Sequence, residues 1–145
     1  MSGAHRVTDP AHPDFEISYS NPQGLWTSPR LTQLVEVRNA RMIYLSGQTP
    51  ADASYQVRSS DIVDQANAVY DNIEIALKSV GAGLQNIVKT TTYIVDTKYI
   101  PAVRDVRIER YRDLKAPPAN TLLIVSRLAE PAMLIEIDVI AALPA

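Results

Sequence analysis

"LIEIDVIA", residues 134–141, sorts into two sets of side chains. Successive residues of a strand point to opposite faces, so Ile135, Ile137, Val139 and Ala141 share one face and Leu134, Glu136, Asp138 and Ile140 share the other. The first set is uniformly apolar and calls for cover by helices. The second places two carboxylates among apolar neighbours on a strand expected to be largely buried. A buried carboxylate needs partners, and its pKa is displaced by them and by the loss of water. Glu136 therefore reads either as a general acid or base in a cleft, or as half of an ion pair with Lys89, Arg127 or a neighbouring subunit.

The helices that this strand needs lie upstream. "SSDIVDQANAVYDNIEIALKSVGAG" (59–83) predicts an amphipathic helix capped by Ser59, Ser60 or Asp61. Ile62, Ala66, Val69, Ile73, Ala76, Leu77 and Val80 recur on one stripe at steps of three and four. "GAG" at 81–83 supplies the helix stop, and because it ends a helix it is not a phosphate loop. "YIPAVRDVRIERYRDL" (99–114) predicts a second helix with Pro101 in its first turn and Ile100, Val103, Val106, Tyr111 and Leu114 inside. The β-branched "NIVKTTTYIVD" predicts a strand over about 87–95, and "PPANTLLIVSRL" (117–128) another over Leu122–Val125. Two earlier strands, near Leu34–Val37 and Met42–Ser46, flank the polar turn "RNAR".

Residues 1–30 read as an irregular arm interrupted by Pro10, Pro13, Pro22 and Pro29, and residues 31–145 as the folded domain. Trp26 in that arm reads as its anchor to the body, with a ligand contact as the alternative. The order β-β-α-β-α-β-β predicts an α+β fold with one mixed sheet and two helices on one face. Two helices cover only one face of such a sheet. The other would expose more apolar surface than soluble monomers show, which predicts self-association in a closed ring. The alternative is that the arm folds over it.

Composition bounds the function classes. The chain of 145 residues is 46% hydrophobic, carries a net charge of −2 and has no cysteine. One globular domain is expected, without disulfides, thiolate metal sites or cysteine nucleophiles. An acidic chain, pI about 5.6, is a poor match for a nucleic-acid surface. No apolar leader or membrane-length run is present, so a soluble cytoplasmic protein is expected. Ser46 lacks the glycines of a nucleophile elbow, and the two histidines, His5 and His12, both lie in the arm. There is no P-loop, dinucleotide fingerprint or metal-ligand spacing.

"MIYLSGQTP", "QANAVYDNIEIALKSVGAGLQNIVKTTTYIVD", "PPANTLLIVSRL" and "LIEIDVIA" follow one another in the order seen in the YjgF/YER057c/UK114 (Rid) family. The resemblance spans about residues 33–142. It implies a chorismate-mutase-like fold, assembled as a homotrimer with the three sheets facing inward as a barrel and clefts between subunits. It also implies hydrolysis of enamines and imines, such as 2-aminoacrylate, to 2-oxo acids and ammonia, with no metal or organic cofactor. The family's glutamate falls on Glu136, its SGQ glycine on Gly47 and a cleft backbone position on Leu122. Its carboxylate-gripping arginine falls on Asn120, which offers a donor and an acceptor but no charge. The family's tyrosine near the start of the domain has no match here, and Trp26 is the candidate to fill its space. Arg104 is the candidate replacement cation. Asn120 reads either as a ligand contact or as a turn residue bonding its own backbone. The resemblance thus implies a deaminase of altered specificity. A non-catalytic binder of small ligands and an RNA-acting protein of the endoribonuclease L-PSP type are the alternatives. A small molecule and other copies of the chain are the expected partners, without nucleic acid or membrane.

Overall fold

The computed structural model describes residues 4–145. Strand β7 (Ile135–Pro144) is the hub of its four-stranded sheet. It pairs antiparallel with β4 (Ala40–Gln48) on one side and with β5 (Ile87–Ile94) on the other. Strand β6 (Ala119–Ile124) completes the order β4-β7-β5-β6 and runs parallel to β5. That parallel step requires a crossover, which α2 (Ile100–Arg110) supplies.

The alternation in β7 sorts as expected. Ile135, Ile137, Val139 and Ala141 are buried against α1 (Ile62–Lys78) and α2, while Glu136, Asp138 and Ile140 are only half buried. Of the three candidate caps, Asp61 closes the start of α1, its side chain accepting from the Asp64 amide at 3.0 Å. Gly81 takes the stop at φ +77°, a conformation that costs glycine little. Val80 lies past the end of the helix and is exposed, so the apolar stripe ends at Leu77. No helix among the described residues is long and apolar enough to cross a membrane.

The first thirty residues differ from expectation. Strands β1 (His5–Asp9) and β2 (His12–Ser20) form an antiparallel hairpin, and β3 (Leu34–Arg38) adds to β2 in a second, three-stranded sheet. Phe15, Ile17 and Tyr19 alternate inward from β2 and bury against Val88 and Ala142. The prolines do not prevent this because of where they fall. Pro10 sits in the hairpin turn, and Pro13 lies where β1 and β2 are out of register, so neither removes a ladder bond. Strands β3 and β4 likewise do not pair with each other. Asn39, at φ +49°, redirects the chain from one sheet to the other, and its Nδ2 donates to the Asp14 carbonyl at 2.9 Å. Two sheets thus replace the single one expected. The hairpin sheet covers the helix-free face of the large sheet only at one end, around Ile140 and Ala142.

Met42 and Tyr44 lie opposite Ala142 and Ile140 and so share the helix-free face, and Tyr44 is 72% exposed. Leu123, paired with Tyr93, is exposed on the same face. Ile17→Ala distinguishes the hairpin from a loose arm. Loss of its buried side chain is expected to lower unfolding free energy by about 2–4 kcal/mol in urea titrations. A solvated arm would give a change within about 0.5 kcal/mol.

Candidate functional site

The irregularity in β4 creates the site. Leu45 pairs with Val139 and Gln48 with Ile137, so Ser46 and Gly47 together oppose Asp138. This is a β-bulge, which re-aims the backbone locally. The Glu136 carboxylate lies directly over it. A Cβ built on Gly47 would sit 2.6 Å from Glu136 Oε1 and 3.0 Å from Asp138 Oδ1. Only a residue without a side chain leaves that space to the two carboxylates. Asp138 accepts a hydrogen bond from the Tyr93 hydroxyl at 3.0 Å. Lys89 on the same face donates to Thr121 Oγ1 at 2.8 Å and makes no ion pair with Glu136. A shallow cavity of about 310 Å³, lined by Tyr44, Ser46, Gly47 and Asp138 among others, reaches the Asp138 side of the bulge.

Burial raises the Glu136 pKa above its ordinary 4.5, and the neighbouring Asp138 charge adds to the rise. The Tyr93 hydroxyl is raised too, chiefly by the bond it donates to Asp138, so it stays a neutral donor. Of the ion pairs offered by the alternative reading of Glu136, those with Lys89 and Arg127 do not form within the chain. Arg127 instead donates to the carbonyls of Leu128 and Ala129.

The other expected site residues lie elsewhere in the chain. Asn120 pairs with Thr90, and Leu122 with Thr92, on the helix-facing side of the sheet, opposite to Glu136. The Asn120 amide does not bond its own backbone. With its nitrogen donating to Thr90 Oγ1 at 2.7 Å and Thr92 Oγ1 at 3.1 Å, its oxygen accepts from Arg107 Nη2 at 3.1 Å and Nη1 at 3.3 Å. The cation facing Asn120 is therefore Arg107, and Arg104 is exposed on the outside of α2. Trp26 is 64% exposed, so most of its ring stands free of the chain instead of packing on the body. The proline pair before Asn120 receives Thr32, whose hydroxyl donates to the Pro117 carbonyl at 2.6 Å. Arg107 escaped the sequence reading although it lies four residues after Val103 and four before Tyr111, on the inner stripe of the helix.

The family described as Endoribonuclease L-PSP matches residues 27–143. The chain belongs to the YjgF/YER057c/UK114 (Rid) family. A RutC family protein of Pyrococcus abyssi is 33% identical over 111 residues, 76% of this chain and 84% of that protein. The protein DfrA of Myxococcus xanthus is 32% identical over 76% of this chain and 82% of its own length. Among solved structures, the Rid-family protein YyfB of Yersinia pestis superposes with a TM-score of 0.81 at 27% identity, covering 88% of this chain and 98% of that one. The family match begins after the hairpin of β1 and β2, which therefore lies outside it.

A carboxyl whose pKa rises on folding holds its proton more tightly in the folded chain. It favours the folded state below its ordinary 4.5, and that contribution disappears as pH climbs through the raised value. Glu136→Gln removes the dependence. The variant is expected to melt above wild type at neutral pH, with the gap closing below 4.5 in a pH series of thermal melts.

Proposed function

We propose that the protein is a Rid-type hydrolase of enamines or imines that works as a homotrimer. The observation that supports this reading is the Glu136 carboxylate, raised in pKa and seated over the Gly47 bulge beside Asp138. A carboxyl drawn up towards the working pH is suited both to take a proton and to return it. In the proposed reaction the protonated Glu136 carboxyl gives its proton to the enamine carbon, which leaves an iminium ion. Water then attacks the imine carbon while Glu136 accepts a proton from it. The resulting carbinolamine receives that proton on nitrogen, the C–N bond breaks as the hydroxyl proton returns to the Glu136 carboxylate, ammonia leaves and a carbonyl remains. Glycine at 47 keeps the carboxylate accessible to the water.

The trimer belongs to the same proposal. Met42, Tyr44 and Leu123 leave apolar surface on the helix-free face beyond the reach of the hairpin. Within one chain Asn120 and Glu136 lie on opposite faces, so a cleft that uses both must draw them from neighbouring copies. Strand β6 is a sheet edge and so is open to such a neighbour. Light scattering after size exclusion is expected to give three times the 16.0 kDa chain mass. A monomer mass at micromolar concentration would remove the inter-subunit cleft.

A substrate whose only strong handle is a carboxylate finds no charged fork at position 120. Exchange of a charge-assisted bidentate pair for one neutral bond weakens binding by roughly tenfold. The protein is therefore expected to turn over 2-aminoacrylate poorly and to prefer enamines or imines held by apolar contacts. Ammonia release across such a panel is the direct test, with loss of about a hundredfold in Glu136→Ala for want of its acid-base group. Ligand binding without ammonia release from any member would favour a non-catalytic binder. The two carboxylates on this face and the net charge of −2 disfavour a phosphate backbone as substrate.

A further inference from the structure

A separate cavity of about 510 Å³ lies between the N-terminal segment and the C-terminal end of α2. His5, Arg30, Arg107, Arg112 and Lys115 line it, and no acidic side chain does among the described residues. Arg112 is paired with Glu109 outside the cavity at 2.7 Å, but Arg30, Arg107 and Lys115 make no ion pair among those residues.

Arg107 is the decisive group. It is only 4% exposed, and its guanidinium meets the neutral amide of Asn120 and lies close to the Tyr70 hydroxyl, with no carboxylate beside it among the described residues. Its Nε is buried without a partner, and so is the Tyr111 hydroxyl, on a second residue of the cavity wall. A buried cation without a counter-ion is among the costliest arrangements in a protein interior. The nearby phenols do not supply the missing charge. Burial raises the Tyr70 hydroxyl and pushes that of Tyr111 well above its ordinary range, so both stay neutral.

We propose that this cavity binds a small organic anion, a carboxylate or a phosphate monoester on an apolar body. Its charge pairs with Arg107, the Tyr111 hydroxyl donates to it, and Arg30 and Lys115 draw it in from the rim. The guanidinium fork suits either anion. Leu31, Ile108 and Leu114 offer the apolar wall, and the volume lies within the ordinary range of small-ligand sites. His5, Tyr19, Ser20 and Asn21 close it from outside the family match, so the N-terminal hairpin builds part of this site. The site is distinct from the Gly47 bulge and does not depend on the deaminase reading.

The test is isothermal titration calorimetry of the full chain with phenylacetate, phenyl phosphate and the uncharged phenylacetamide. One or both anions are expected to bind and the amide is not, and the tighter anion identifies the headgroup. Arg107→Met, an apolar chain of similar length, is expected to weaken binding about tenfold or more. The rim pair Arg30→Ala/Lys115→Ala, which leaves the core intact, is expected to weaken it severalfold and flatten its salt dependence. The rim pair decides the matter should Arg107→Met fail to fold. Binding of the amide as tight as the anions, or no binding at all, overturns the proposal. So does binding that survives Arg107→Met but is lost in Glu136→Ala, which would place the anion at the bulge.

Discussion

Strand β7 is bonded on both edges, so the side chains of one strand set the character of both faces of its sheet. On one side four apolar residues meet both helices and form the larger core. On the other side two carboxylates and Ile140 must find company that the helices do not offer. The bulge, the hairpin sheet and the proposed association between copies all answer that single asymmetry. The hairpin meets it at Ile140 and Ala142, and the bulge meets it at Glu136 and Asp138 by withdrawing a side chain at Gly47.

Much of this was legible in the sequence because it rests on periodicity. Both helices, four strands of the family region and the inward set of β7 follow from steps of two, three and four residues. The hairpin is harder to see, although "FEISYS" alternates as clearly as the last strand does. Four prolines argue for an irregular arm, but a proline count says nothing about register. Pro10 and Pro13 fall at the turn and at an unpaired start, the positions in a hairpin that tolerate them. The separation of β3 from β4 is equally hidden, since it depends on one asparagine at positive φ and on a partner strand inside the proline-rich segment.

The site divides in the same way. Glu136 follows from alternation, and Gly47 from the resemblance that aligned it. Their contact follows from neither, because a bulge is a difference in register between two strands remote in sequence. Arg107 was passed over for a different reason. A charged residue on a helix is solvated far more often than buried, so its residue type argues against an inner position. The cue was present in the spacing of Val103, Arg107 and Tyr111.

Asn120 and Arg107 are best understood together. Position 120 faces α2 through a layer of buried threonines, with its amide oxygen at hydrogen-bond distance from both terminal nitrogens of Arg107. An arginine at 120 would set two guanidiniums side by side with no carboxylate between them, and like charges at that distance in a dry interior repel strongly. A neutral acceptor at 120 is thus the condition for a cation at 107. The strand-mouth asparagine thus leaves the positive charge of this layer to the helix. The position of the charge decides what it can meet. On the helix it backs onto a cavity within its own chain, walled in part by residues before the family region begins.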